Sequence, residues 1–409
     1  MEIKPQYRKA APLMFLSTLE KNNYFRAVLG FVLWVNYTPA FADKDEIPPP
    51  PAESESIVAQ AQPEPTKIPY VYKVPQKLSD GWKVGDLRKE KADLNPIAGG
   101  VEQILSGAIP NVHSLLILRH GKILLDEYFN GHKVEDANAL YSCTKSVFST
   151  IYGIAQDQGL LSLDQKIYDL YPDYRSKAGW SPEKDAITVG MLLSMTSGLD
   201  CNDAGPWGSS CGVAMAPTSD WVAFCFGLPL IHPPGKFWMY NGTSLSLLSN
   251  LIAKKSGMSF SQFARKYLLE PLGIPGDTWV TGPNEVPKVD TGLFWKSRDM
   301  AKLGLLFMNK GKWEGKQIVS EAWVKAATTA HAPPGTAFSH NYGYLWHIKG
   351  MMWKGQLVSV FFANGYQGQA IFVSPDADLI CVMTAANMND SIYSMEEGLF
   401  RETILTSFN

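Results

Sequence analysis

The chain has 409 residues, 45% hydrophobic and 19% charged, with a formal net charge of −2. This composition fits a globular body with room for more than one core, and it offers no basic, aromatic-interleaved patch for nucleic acid. The 12 Trp and 17 Tyr could line a cleft, although large cores use the same residues.

At the N-terminus, Lys21 and Arg26 precede the apolar run "AVLGFVLWV" (27–35) and then "TPAFA" (38–42). A basic region, a short apolar region and a small-x-small ending predict a secretory signal, residues 1–42, cleaved after Ala42. The run is shorter than the ~20 apolar residues that span a bilayer. Translation from Met14, or retention as an anchor, stays open because the stretch before Lys21 is long. The expected location is the periplasm or the medium, with no transmembrane segment after cleavage. Residues 43–67 are rich in Pro, Glu, Ser and Gln and predict a linker.

Residues 68–409 predict the folded body. A helix is expected at 97–109, then a hairpin at 113–129 around the turn "HGK". A buried helix follows at 142–158, with Val147, Ile151, Ile154 and Ala155 on one face and Gly159 as the stop. The part from 160 to 290 is mostly helical, with helices at 187–199, 244–257 and 259–273. Strands return at 356–365, 369–375 and 378–386, and a final helix covers 391–407. Strand-rich ends, 68–159 and 291–409, around a helical middle predict an α+β fold: one antiparallel sheet flanked by helices, with an inserted helical part. The reacting groups would lie in the seam between the two.

Five cysteines leave at least one thiol free. Cys201 and Cys211 share the polar loop "CNDAGPWGSSC" and either bridge in an oxidising compartment or stay reduced. Cys143 is expected in the core. The sequence has no HExxH or CxxC and no Gly-x-Ser-x-Gly elbow, the spacing at 208–212 ("GSSCG") falling in the polar cysteine loop, and "GKWEGKQ" (311–317) reads as a hairpin turn rather than a phosphate loop. No metal or cofactor is therefore expected. His340 and His347 read as packing or surface residues.

Two Ser-x-x-Lys spacings occur, Ser142/Lys145 and Ser181/Lys184. The second, "SPEK", lies in a polar stretch and reads as a loop or a short helix. The first opens the buried helix, where positions i and i+3 share a face. A lysine in a first helical turn opposes the helix dipole at a cost of ~0.3–1 kcal/mol. Ser142 is thus either an N-cap or a nucleophile with Lys145 beside it. A capping box would carry Glu or Gln where Lys145 stands. Burial and the dipole should lower the lysine's pKa towards a neutral base, and the helix N-terminus offers a backbone N–H to an oxyanion. Tyr240, in "PPGKFWMYNG" just before an apolar helix, is placed to relay a proton.

Together "SCTKS", "ITVGMLLSMTSGLD", "PPGKFWMYNG" and "FFANGYQGQAIFVSPDADLICVMT" resemble the serine β-lactamase-like hydrolases, the class C, penicillin-binding-protein and esterase group, over most of 80–409. Within that group the chain is most similar to the 6-aminohexanoate-dimer-hydrolase-like branch. The resemblance implies a β-lactamase/transpeptidase-like fold, with Ser142 as nucleophile, Lys145 as base and Tyr240 as proton relay. It also implies an oxyanion hole from the backbone N–H groups of Ser142 and Tyr366, with Asn241, Gly365 and Gln367 against the substrate. Two departures stand out. Many relatives carry Tyr-x-Asn, but here Tyr240 is followed by Asn241 and Gly242. Many also carry Lys-Thr-Gly or His-Thr-Gly where this chain has "ANGYQGQ" (363–369), without a cation for a substrate carboxylate. The expectation is an ester or amide substrate, small or short-peptide-like. The alternatives are a β-lactamase or D,D-carboxypeptidase, or a non-catalytic wall-binding protein on the same fold.

Overall fold

The computed structural model describes residues 69–204, 210–276, 278–333, 340–388 and 393–408. The expected signal and most of the expected linker lie outside the described residues. Among the described residues, no helix is long and apolar enough to cross a membrane.

The elements in chain order are β1 (Lys83–Val84), α1 (Leu94–Leu105), the hairpin β2 (Val112–Arg119) and β3 (Lys122–Tyr128), β4 (Ala137–Ala139) and α2 (Cys143–Asp157). The helical middle follows with α3 (Val189–Leu193), α4 (Trp221–Gly227), α5 (Leu245–Ser256) and α6 (Phe260–Ala264). Then come β5 (Thr278–Trp279), β6 (Leu293–Lys296), α7 (Ser297–Met308), the small hairpin β7 (Lys312–Trp313) and β8 (Lys316–Gln317), and α8 (Glu321–Ala327). The chain closes with β9 (Asn341–Tyr342), β10 (His347–Trp353), β11 (Gln356–Gly365), β12 (Gln369–Ser374), β13 (Leu379–Ala385) and α9 (Tyr393–Gly398).

The main sheet has eight strands in the order β1-β3-β2-β13-β12-β11-β10-β9. It is mixed rather than wholly antiparallel, because β1 runs parallel to β3 at the edge. That pairing uses two residues of an incoming segment that leaves at once for α1, so no hairpin constrains its direction. Strands β4, β5 and β6 form a separate three-stranded sheet beside α2.

Alternation along the central strands sends side chains to two cores. Leu116, Leu118, Ile371, Val373, Ile380 and Val382 join the core that contains α2, α5 and α7. Their neighbours Leu115, Ile117, Phe372, Cys381 and Met383 pack against α1 and the C-terminal segment at Leu399, Phe400 and Ile404. With both faces covered, β12 and β13 are buried throughout, which explains their unbroken apolar runs.

Two expected helices are shorter than their apolar patterns suggest. The 187–199 segment is helical only over Val189–Leu193, capped by Thr188, because Met195 takes a positive φ of 60°. The 259–273 segment starts with the Ser259/Gln262 capping box, then widens to a π-helix over Arg265–Leu269. By contrast, α5 ends as expected on Gly257 in the left-handed conformation.

Candidate active site

Helix α2 is held from all sides. Residues Cys143 to Ala155 are all buried, and each large apolar side chain among them contributes ~1.5–3 kcal/mol by leaving water. Ser146 and Ser149 donate their hydroxyls to the carbonyls of Leu345 and Tyr344, both at 2.7 Å, tying the helix to the segment before β10. Cys143 lies in the core, its thiol against the Gln369 carbonyl. The first residues of α2 therefore cannot drift relative to β10, β11 and β12.

Ser142 occupies the N-cap position, yet its side chain makes no capping bond. Its Oγ instead accepts from Lys145 Nζ at 2.9 Å. The same Nζ donates to the Asp290 carbonyl at 2.9 Å and sits 4.7 Å from the centre of the Tyr240 ring. So Ser142, Lys145 and Tyr240 do converge, and Lys145 is 2% exposed.

The expected fall in the Lys145 pKa is reversed. Burial pushes the ammonium towards neutrality, but Tyr240, Asp290 and Asp203 outweigh it and hold Lys145 above the ordinary lysine range. Asp290 stays ionised: burial opposes its charge, while Lys288 and Lys145 hold its carboxyl below the usual range. Spacing shows only that Lys145 is close to Ser142. The groups that decide its charge, Tyr240, Asp290 and Asp203, come from segments far from it in the chain.

Tyr240 is fixed through its neighbours. Its carbonyl accepts from the Asp203 N–H at 2.7 Å. The Asp203 carboxylate accepts from the Thr243 N–H at 2.9 Å, from the Thr243 hydroxyl and from the Gly212 N–H at 3.2 Å. Cys201 and Cys211, joined in the structure with Cα atoms 5.5 Å apart, flank that aspartate. Tyr342 packs edge-on to the Tyr240 ring and Trp238 lies tilted against it, while His347 lies between Tyr342 and Phe362. His347 is a packing residue as expected, but it borders the site: its pKa falls well below the usual value through burial, His340 and Lys145. Its Nδ1 meets His340 Nε2 at 2.6 Å.

The other expected substrate contacts are placed differently. Asn241 is buried and its amide oxygen accepts from the Ser244 N–H at 3.0 Å, so it caps the entry to α5. Gln367, with φ +67°, accepts from the Tyr141 hydroxyl at 3.1 Å and directs its amide at Met388 Sδ. Both side chains brace their turns through these bonds, while the buried Asn241 Nδ2 makes no hydrogen bond among the described residues. Gly365 ends β11 directly against the start of α2: a Cβ there would lie 2.3 Å from the Leu140 carbonyl oxygen and 3.2 Å from the Cys143 nitrogen. Only glycine lets the strand end approach this closely. Tyr141, at a positive φ of 45°, sets its ring edge-on to Tyr366 at 5.6 Å across the same seam.

The second Ser-x-x-Lys has another geometry. Ser181 precedes a short 3-10 helix, and Lys184 turns inward to donate to the carbonyls of Gly179, Phe226 and Leu228. Burial alone pushes its pKa down.

Missed by sequence reasoning were Asp290, Asp203, Thr243, Tyr342 and the bordering His347. Asp203 had a faint signal, lying between the two loop cysteines. Asp290 had none.

Comparison with known proteins follows the same outline. The sequence profile of the family described as Beta-lactamase matches residues 98–393. The 6-aminohexanoate-dimer hydrolase of Paenarthrobacter ureafaciens is 21% identical over 292 residues, 66% of this chain and 71% of its own length. Lovastatin esterase of Penicillium rubens is 27% identical over 157 residues, 35% of this chain and 39% of its own. Among solved structures, a putative 6-aminohexanoate-dimer hydrolase from Bacillus anthracis superposes with a TM-score of 0.62 at 17% identity, covering 83% of this chain and 88% of that one. With the fold, the profile and hydrolase relatives in agreement, the chain belongs to the beta-lactamase family of serine hydrolases.

Proposed function

We propose that this chain is an exported hydrolase that cleaves an ester or amide through an acyl-enzyme on Ser142. One observation carries the reading: the Ser142 hydroxyl forgoes its cap and accepts from a buried lysine at 2.9 Å. A serine kept only to cap a helix would bond the N–H of the third residue.

The reaction needs a group to take the serine proton and return it. One proton shared between the Lys145 amine and the Tyr240 oxygen leaves that pair able to accept another. As Ser142 Oγ bonds to the carbonyl carbon, its proton passes to the pair and the carbonyl electrons move onto oxygen. The amides of Ser142 and Tyr366 hold that oxyanion. The tetrahedral centre then collapses, the bond to the leaving group breaks, and the Tyr240 oxygen supplies the leaving group's proton. Water repeats the sequence to free the acid.

The substrate is best read as neutral at its acyl end. Strand β11 ends in Ala363, Asn364 and Gly365, so it offers no cation for a β-lactam or peptide carboxylate. The partly exposed rings of Tyr141 and Tyr366 suit an apolar acyl or leaving group. The relatives named for an amide dimer and for lovastatin fit that range. Export rests on the 1–42 pattern.

Intact mass after a fluorophosphonate, together with p-nitrophenyl ester turnover, tests this. Wild type gains one adduct and Ser142→Ala gains none. Equal labelling and turnover in the two would reject the nucleophile. Nitrocefin is expected to be a poor substrate.

A further inference from the structure

The turn that carries the Tyr366 amide, between β11 and β12, has an unfavourable backbone. Gln367 takes φ +67° and Gly368 takes φ +96°, two successive left-handed residues of which one bears a side chain. The bond inside the turn, from the Gly368 N–H to the Gly365 carbonyl, is long at 3.3 Å. Such a conformation persists where its surroundings hold it. The Asn387 N–H donates to the Gln367 carbonyl at 3.0 Å, and the Tyr141 hydroxyl donates to the Gln367 side chain at 3.1 Å.

A further support is a carboxyl with no part in the chemistry above. Glu396 of α9 is 2% exposed and packs against Gly368. A Cβ on Gly368 would collide with Glu396 Oε1 and come within 3.2 Å of Glu396 Cδ and 3.0 Å of the Ala385 Cβ. Glu396 is anchored by the helical run that follows it, whose Leu399, Phe400 and Ile404 are buried in the second core. Its Oε2 is buried and makes no hydrogen bond among the described residues. A charged carboxylate is costly in such a place, and a neutral carboxyl much less so.

Given the reading of Ser142 as nucleophile and the Tyr366 amide as oxyanion donor, we propose that Glu396, as a neutral carboxyl, is a positioning residue that backs Gly368 and so aims the Tyr366 N–H. It touches no substrate and moves no proton. On ionising it must find donors or water beneath the turn, and the turn shifts to admit them.

The groups around Glu396 leave its charge unpaired. Burial pushes its pKa up to about 7, against its own backbone N–H and the nearby Asn387 amide. On the same helical run, Glu397 pairs with Lys349 of β10 at 2.7 Å and with Arg401 at 3.7 Å, and Arg401 also pairs with Glu402. Those cations are met by other carboxylates. The turn presents Gln367, Gln369 and the Tyr366 phenol, whose hydroxyl lies 4.0 Å from Met388 Sδ. Strand β13 presents Ala385, and the segment after it presents Asn387 and Met388.

The test is kcat and KM on a p-nitrophenyl ester between about pH 6 and pH 8 for wild type, Glu396→Ala, Glu396→Gln and Asn387→Ala. Glu396→Ala should lower kcat ~10-fold or more, short of the ~10²–10³ for outright loss of a donor, with KM within about 2-fold. Glu396→Gln keeps the shape without the charge and should restore that kcat. Wild-type kcat relative to Glu396→Gln should fall as pH rises through about 7. Asn387→Ala removes a group that favours the charge and should move that fall to higher pH. It decides the matter if the Glu396 variants do not fold, since an unmoved fall would count against Glu396. A wild-type to Gln ratio that stays flat with pH, or an Ala loss carried by KM, would overturn the proposal. Ester turnover that survives Ser142→Ala would instead overturn the nucleophile reading, an outcome distinct from a flat ratio with serine-dependent labelling.

Discussion

Ser142/Lys145 and Ser181/Lys184 share a spacing, and both lysines are buried at 2% exposure, yet they do opposite things. Lys184 faces three backbone carbonyls and is pushed towards neutrality by burial. Lys145 faces a hydroxyl, a carbonyl and nearby acidic groups, and is pushed the other way. Backbone dipoles hold an amine in place; they do not fix its charge as a carboxylate does. A Ser-x-x-Lys spacing therefore says only that two side chains can meet. What they do depends on the anions that the rest of the chain brings to them.

The sharpest break of this comparison is in turnover. Ser142→Ala or Lys145→Met should lower ester kcat/KM by ~10⁴-fold or more, whereas Ser181→Ala and Lys184→Met should stay within about 2-fold of wild type. Similar losses at both copies would remove the distinction. Next in size is Gly365→Ala, whose methyl would meet the Leu140 carbonyl and force the strand end off α2. If the Tyr366 amide is the oxyanion donor proposed above, its displacement should lower kcat by ~10²–10³ while the urea midpoint changes little by comparison.

Stability reverses the ranking of the two lysines. Lys184→Met orphans the carbonyls of Gly179, Phe226 and Leu228 and should cost ~1–3 kcal/mol, read from the urea midpoint. The smallest and most discriminating effect is in pH. Lys184 has a lowered folded pKa, so the unfolded chain binds the extra proton and the contribution of Lys184 to stability should grow as pH rises towards ~10.4. Lys145 has a raised one, so its contribution is complete below that pH and is lost as pH rises through the folded value. Subtracting each Met variant from wild type should give a rising slope for Lys184 below pH ~10.4 and a falling slope for Lys145 above it. Slopes of the same sign would mean the two sites differ less than their partners imply.

Legibility followed the range of the signal. Strand β11 was bounded by its pattern, and β12 and β13 came within a residue or so, because central strands covered on both faces are continuous apolar runs. Helix α7 was not anticipated. Its buried Arg298, Asp299 and Lys302 interrupt the apolar period, and the reason is tertiary: Lys302 pairs with Asp299 at 3.0 Å and Arg298 with Asp126 at 2.5 Å. Within the site, Ser142 and Lys145 were legible because three residues of one helix hold them together. Tyr240 stood out by its place before an apolar helix. Asp290 and His347 carry no local mark, and the lysine's charge could not be inferred without Asp290 and Asp203.

The cystine at Cys201 and Cys211 closes a ring across ten positions whose third residue, Asp203, grips the turn that carries Tyr240. The covalent bond lies outside the chemistry, but it shortens the leash on one of its groups. Material produced in a reducing cytoplasm would keep the sheet and α2 while losing that leash. Recombinant preparations from different cellular compartments should then be compared by thiol count before their activities are.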